Sequence, residues 1–250
     1  MQRYFIPEPY NGEDKVILHG EQFHHIVRVL RMKEGDSFYI VFKSGEAAIA
    51  EIQEISNEEL AAAIVEWEHS YKELPIDVAI VSGLPKGDKL ELIVQKGTEL
   101  GANHFVPFIA DRSIVKWDEK KGTKKVERWN KIALEAAEQS HRNVVPIVDA
   151  PIKLKQLLEL SKDYDYKLAA FEESAKKGEK SAFAAILQEI QPGQSVMIAF
   201  GPEGGLSEKE AAMFEENGFI LCGLGPRILR TETAPLYALS AISYQFELLR

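Results

Sequence analysis

From Ile76 to the end of the chain, short apolar runs alternate with longer runs of helical periodicity, and that alternation leaves few folds open. IDVAIVSGL, NHFVPFIA, YKLAAFEE, SVMIAFGPEGG and FILCGLG have the length and apolar content of buried strands. Between them DKLELIVQKGTELG, KKVERWNKIALEAAEQS, LKQLLELS, SAFAAILQEI and SEKEAAMFEENG read as helices, and PLYALSAISYQFELL closes the chain as another. Strands that are apolar on both faces need cover on both faces. The pattern therefore implies an α/β fold, a mostly parallel sheet between helices. Asp88 with Glu91 and Ser207 with Glu210 have capping-box spacing, and Gly101 and Gly218 mark helix stops.

The first seventy residues have a different rhythm. QRYFIP, KVILHG, DSFYIVF, EAAIAEIQEIS and ELAAAIVEW are short strand-like runs separated by turn signals such as NGED and KEGD. One helical insert, EQFHHIVRVLRM, places Phe23, Ile26, Val27 and Leu30 at helical spacing and leaves Arg28 and Arg31 outside. Many short strands with one helix suggest a small β-barrel. The expected division is 1–72 for the barrel and 73–250 for the α/β domain.

The 250 residues carry a formal net charge of −9, which argues against a protein that coats nucleic acid by bulk charge but leaves room for local basic surfaces. A single cysteine, Cys222, excludes an intramolecular disulfide and suits a reducing cytoplasm, where it reads as a small buried apolar residue. The opening MQRYFIPEPYNGEDK has no apolar stretch behind a basic start, so no signal peptide is expected. No run approaches the roughly 20 apolar residues that span a bilayer. His24 and His25 lack the spacing and companions of a metal site, and no metal is expected.

Three turns follow the last three strands: AAFEESA, FGPEGGLS and LGPRILRTETA. Ligands of open α/β sheets bind at the carboxyl edge of the strands, where these turns fall. GPEGG allows close approach of backbone to a ligand, and the helix behind it offers free N–H groups. Neither GxxxxGK[ST] nor GxGxxG is present, which weakens a nucleoside triphosphate or dinucleotide reading. A tight strand-to-helix turn is the plain alternative for GPEGG. In the third turn Arg227 and Arg230 lie three apart and Glu232 follows. An arginine there can stabilise a developing oxyanion, and a carboxylate can take a proton. A helix cap with a local ion pair is the plain alternative.

KGDKLELIVQKGTELG, ERWNKIALEAAEQSHR, FGPEGGLSEKE and LGPRILRTETA, in this order, resemble the bacterial 16S ribosomal RNA uridine N3-methyltransferase family of the RsmE type, within the SPOUT superfamily. HHIVRVLRMKEGD resembles the small PUA-like barrel of the same family. The likeness covers nearly the whole chain. It implies a SPOUT-type sheet with a carboxyl-terminal trefoil knot, an S-adenosyl-L-methionine site built from the three turns, and a homodimer with the closing helix in its interface. The apolar stripe of Leu236, Leu239, Ile242 and Phe246 suits that interface, and equally suits a core.

By matching motif, the resemblance assigns the cofactor to Gly201, Pro202, Glu203, Gly204 and Gly205, and to Leu224, Gly225, Arg227, Ile228, Leu229 and Arg230, with Phe171 completing the pocket. The chemistry of uridine N3, which must lose its proton before it can attack a methyl carbon, adds two roles. Glu232 is a candidate base and Arg230 a candidate stabiliser of charge on a uracil oxygen. For holding 16S ribosomal RNA the candidates are His25, Arg28, Arg31, Arg112 and Arg142. Lys116, Lys120, Lys121, Lys124, Lys125 and Arg128 are further residues able to contact phosphates, and of these the loop Lys120–Lys125 reads first as a solvated face. Two alternatives stand beside this reading: a transfer RNA methyltransferase on the same fold, and an RNA-binding or assembly protein that has lost catalysis. Intact GPEGG and ILRTETA disfavour the second.

Overall fold

The structure, a computed structural model, describes residues 1–115, 117, 119–171 and 182–249, with only the backbone of 119–121. The chain divides into two compact units, Met1–Glu73 with Ala137–Val145, and Leu74–Ala136 with Pro146–Arg250.

The amino-terminal unit is a barrel-like sheet of five strands. They are β1 (Arg3–Ile6), β2 (Lys15–His19), β3 (Ser37–Phe42), β4 (Ala47–Ile55) and β5 (Glu59–Glu68), in the order β1-β3-β4-β5-β2. All pairs are antiparallel except β1 with β3. Alternation turns Phe38, Ile40, Ala48, Ala50 and Ile52 to one buried face. Irregular pairing at Ile49/Ala50 and Ile52/Glu54 supplies the bend that a curled sheet needs.

The helical insert departs from its expected period. A short α-helix, Gly20–Phe23, widens into a π-turn, His24–Val29, closed by the Leu30 N–H donating to the His25 carbonyl at 2.9 Å. Phe23 and Ile26 are buried, but Leu30, inside on a 3.6-residue period, is 43% exposed beside Val29 at 56%.

Residues 137–145 return to this unit, which local patterning does not show. Glu73 fixes them: its carboxylate accepts from the Arg142 guanidinium and from the backbone N–H of Asn143 (2.7 Å) and Val144 (3.1 Å).

The larger unit is an all-parallel sheet. Its strands are β6 (Asp77–Gly83), β7 (His104–Ile109), β8 (Ile147–Val148), β9 (Ile152–Lys153), β10 (Tyr166–Ala170), β11 (Ser195–Phe200) and β12 (Ile220–Cys222). The order is β12-β10-β11-β6-β7-β8, with β9 also on β7. Each central strand feeds two cores. Val78, Ile80, Val196 and Ile198 pack with Ile93, Val94, Leu239 and Ile242, whereas Ala79, Val81, Met197 and Ala199 pack with Phe108 and Phe214. The two-sided cover inferred from the sequence is therefore present.

Ser207 and Glu210 form the expected capping box at the helix Glu208–Glu216. Asp88 does not cap Lys89–Glu99, because its backbone (φ −96°, ψ 14°) lacks the extended conformation that aims a side chain at the first turn. The closing helix, Thr233–Ser243, continues as a π-turn, Tyr244–Leu248. Of the stripe expected at a dimer interface, Leu239, Ile242 and Phe246 are buried within this unit as intramolecular core, and Leu236 is half-buried. Tyr237, Tyr244, Leu248 and Leu249 are its exposed apolar residues. No described helix is long and apolar enough to cross a membrane.

Candidate active site

Parallel strands bring the turns after β6, β10, β11 and β12 to one edge of the sheet, on either side of the point where the strand order reverses. A cavity of about 950 Å³ opens there. Residues 200–206 and 222–231 form most of its wall, with Phe171, Lys89 and Arg112. Every residue assigned to the cofactor in the second and third turns lies on this wall, as does Phe171. The rest of the first turn, from Glu172, lies outside the described residues, as do Lys116 and the side chains of Lys120 and Lys121. Lys124 and Lys125 are exposed on the helix Glu119–Gln139.

The second turn is folded tightly on itself. A methyl group on Gly201 would stand 2.5 Å from the carbonyl carbon of Gly205 and 2.6 Å from the Leu206 nitrogen, both backbone. Gly83, at the end of β6, lies as close to Pro202: a Cβ there would be 2.5 Å from its ring. Only residues without side chains allow this approach, and the result is a wall of backbone groups.

Three segments brace the turns. Arg112 donates to the carbonyls of Gly204 (2.9 Å) and Leu206 (3.1 Å). Asp111 accepts from the Ser207 hydroxyl at 2.9 Å, while its own N–H donates to the buried Glu210 at 2.8 Å. The Thr231 hydroxyl donates to the Gly201 carbonyl at 2.8 Å and ties the third turn to the second. Arg112 is thus occupied in holding a turn.

Charge in the site is paired across elements. Lys89, in the first turn of its helix, puts its ammonium 2.8 Å from Glu203 and 3.5 Å from Glu232 Oε2. The Glu203 hydrogen bond holds the Lys89 ammonium above its ordinary pKa. Partial burial acts against ionisation of Glu203, yet the Lys89 bond and backbone N–H groups hold its carboxyl below the usual range. Glu203 therefore faces the loop after β6, where the Lys86 N–H also donates to it at 3.1 Å. Lys89 was legible in KGDKLELIVQKGTELG only as a helix start; its partners are far off in the chain.

Glu232 occupies the N-cap position of the closing helix but caps nothing. Its side chain is 16% exposed, and its buried Oε2 has no hydrogen-bond partner. Arg230 is exposed on the wall, and its guanidinium makes no hydrogen bond among the described residues. An ion pair between the two is absent among the described residues; Glu232 pairs with Lys89 instead.

The candidates for RNA divide. Arg28 and Arg31 are exposed at the π-turn, Arg28 with its guanidinium 5.9 Å from the Phe23 ring centre. Arg31 adopts φ +56° where the turn ends. His25 is half-buried, hydrogen-bonded to the Tyr4 hydroxyl at 2.8 Å. Arg142 corrects the expectation: it is 3% exposed, with its guanidinium on Glu73, and its charge is spent inside the unit. Among the described residues no group of His, Cys, Asp and Glu is arranged to hold a metal ion.

Residues 72–243 match the RNA methyltransferase domain family, and residues 18–65 match the RNA methyltransferase PUA domain. The chain is similar to the ribosomal RNA small subunit methyltransferase E of Bacillus subtilis, 54% identical over 253 residues, across 100% of this chain and 99% of that protein. The protein of the same name from Synechocystis is 34% identical, over 94% of this chain and 75% of its own. Among solved structures, the Neisseria gonorrhoeae ribosomal RNA small subunit methyltransferase E bound to S-adenosyl methionine aligns over 98% of both chains, at 30% identity and a TM-score of 0.85. A domain match over more than half the chain and an end-to-end relative at 54% identity make it a member of the RNA methyltransferases of the small subunit methyltransferase E family.

Proposed function

We propose that this protein is an S-adenosyl-L-methionine-dependent methyltransferase that modifies N3 of a uridine in 16S ribosomal RNA, working in the cytoplasm. The observation that carries the reading is the carboxyl-edge cavity, lined by the glycine-rich backbone of 201–205 and by Arg230. The cavity fits the cofactor. Its size is within the usual range for small-molecule sites, and the turns offer backbone donors and acceptors to an adenosine rather than a phosphate cradle. Residues 201–205 and 224–230, with Phe171, would hold it. When bound, S-adenosyl-L-methionine supplies a methyl group on a positively charged sulfur.

The chain's own residues do the rest. Glu232 takes the N3 proton, which leaves an electron pair on N3 as the nucleophile. Arg230 stabilises the negative charge that then spreads to a uracil oxygen. Holding N3 in line with the methyl carbon supplies much of the rate. The same reading carries a trefoil knot in the last turns, as the family resemblance implies.

Methyl transfer by the purified protein to 16S ribosomal RNA from a strain lacking the gene, followed by digestion and mass spectrometry, tests the assignment. A single 3-methyluridine is expected. Methylation of transfer RNA instead, or of another atom, would overturn it, and absence of any product would favour a binding protein.

In this reading residues 1–72 hold RNA through Arg28 and Arg31. RNA affinity is expected to fall steeply with salt despite the acidic chain, because each phosphate contact releases counterions. Arg28→Glu with Arg31→Glu should weaken RNA binding in a filter assay and leave cofactor affinity alone; unchanged RNA binding would remove the assignment, and equal loss of both would mean that the substitutions had damaged the fold. The reading also includes a homodimer, supported by the exposed Tyr237, Tyr244 and Leu248 on the closing segment. Sedimentation at micromolar concentration should give twice the chain mass, and a monomer there would exclude it.

A further inference from the structure

Lys89 joins three elements that meet nowhere else by charge among the described residues. It projects from the helix after β6, lines the cavity, and puts one ammonium between Glu203 of the second turn and Glu232 of the third. Glu203 is already held by the Lys86 N–H at 3.1 Å. Glu232 has no such second support. Its side chain is 16% exposed, its buried Oε2 makes no hydrogen bond, and the ammonium at 3.5 Å is its one charged neighbour among the ion pairs described. A buried carboxylate oxygen without hydrogen bonds is costly unless a cation compensates it.

We propose that Lys89 is the positioning residue for methyl transfer: it anchors Oε2 of Glu232, so that the carboxylate is held in place and keeps its other oxygen free to accept the uridine N3 proton. This rests on the reading of Glu232 as that acceptor. The proton leaves N3 for the carboxylate, the N–H electron pair stays on N3, and the Lys89 ammonium gives up no proton. Without Lys89 the buried Oε2 loses its one charged neighbour among the ion pairs described. The carboxylate is then free to swing toward solvent, where it no longer accepts from N3. The clasp on Glu203 is the separate, structural half of the arrangement, because Glu203 belongs to the turn that walls the cavity.

The two halves are separable by experiment. Single-turnover methyl transfer to 16S ribosomal RNA, S-adenosyl-L-methionine affinity by calorimetry, and thermal melting are measured for Lys89→Met, Lys89→Arg, Glu232→Gln and the Lys89→Met/Glu232→Gln double variant. Methionine keeps the length of the side chain and removes the charge. Lys89→Met is expected to slow transfer by about tenfold or more, and the double variant to be no slower than Glu232→Gln, because groups acting as one unit are not additive. Lys89→Arg should recover part of the rate, and cofactor affinity should stay near that of the parent. Full multiplication of the two single losses would overturn the proposal while leaving Glu232 as acceptor. A loss confined to cofactor affinity would overturn it in favour of the Glu203 clasp. An unimpaired Glu232→Gln would remove the acceptor reading itself, and the proposal with it. If Lys89→Met fails to fold, a Lys89→Arg enzyme that melts normally and transfers no faster than Glu232→Gln would equally overturn it.

Discussion

Gly201→Ala is expected to lower affinity for S-adenosyl-L-methionine by roughly ten- to a hundredfold and to leave a folded protein. The added carbon would stand 2.5 Å from the carbonyl carbon of Gly205 and 2.6 Å from the nitrogen of Leu206. Both are backbone atoms, so no flexible side chain can move aside. The turn relieves the overlap only by shifting, and binding must then push it back. Overpacking of this kind costs about 1–3 kcal/mol, and each 1.4 kcal/mol is a tenfold change in affinity. Gly204→Ala is the control. Its added carbon meets Arg112 Cβ at 3.0 Å, a looser contact relieved by a shift of a few tenths of an ångström, and a smaller loss is expected. Calorimetry with the purified variants measures both. Affinity near the parent value for Gly201→Ala would mean that the second turn does not hold the cofactor.

Strands, helices and the glycine turns were legible because their signals are local. Alternation between β6 and β12 required cover on two faces, and the split of Val78 and Ile80 from Ala79 and Val81 follows from a side-chain period of two. The carboxyl-edge turns could be placed together because parallel strands bring successive turns to one edge. What was hidden depends on partners distant in the chain. Arg142 reads the same in EQSHRNVV whether it meets solvent or Glu73, and only the fold shows it buried. The stripe of Leu239, Ile242 and Phe246 is apolar for a core or for an interface alike. A π-turn has no strong composition signal, so Leu30 was assigned to the inside of a regular helix and lies outside. Lys89 was quoted within a motif, but Glu203 lies 114 residues further on, and no spacing rule links them.

Arg230→Ala is expected to slow methyl transfer by about 100-fold or more, the usual loss for one oxyanion donor, with little change in melting temperature or cofactor affinity. The structure separates the backbone of this residue from its side chain. The Arg230 carbonyl accepts from Thr233 (2.9 Å) and Ala234 (3.0 Å) and so starts the closing helix, a task that alanine performs equally well. The guanidinium is exposed on the cavity wall and makes no hydrogen bond among the described residues. Removing it should cost within about 0.5 kcal/mol of stability, as for an ordinary surface substitution. Glu232→Gln then divides the chemistry. It keeps the size of the side chain and removes its capacity as a base, while the helix loses no cap because Glu232 makes none. At neutral pH transfer should be slow. As pH rises toward the range where uridine N3 ionises unaided, the need for an acceptor disappears, and the Glu232→Gln rate should climb toward that of the parent. The Arg230→Ala rate should not converge in this way, because the charge on the uracil oxygen is present however the proton was lost. Single-turnover rates across pH on the same RNA decide the matter. A Glu232→Gln rate that stays low at every pH would assign the residue to positioning, and parent-like rates for both variants at neutral pH would remove the third turn from the chemistry.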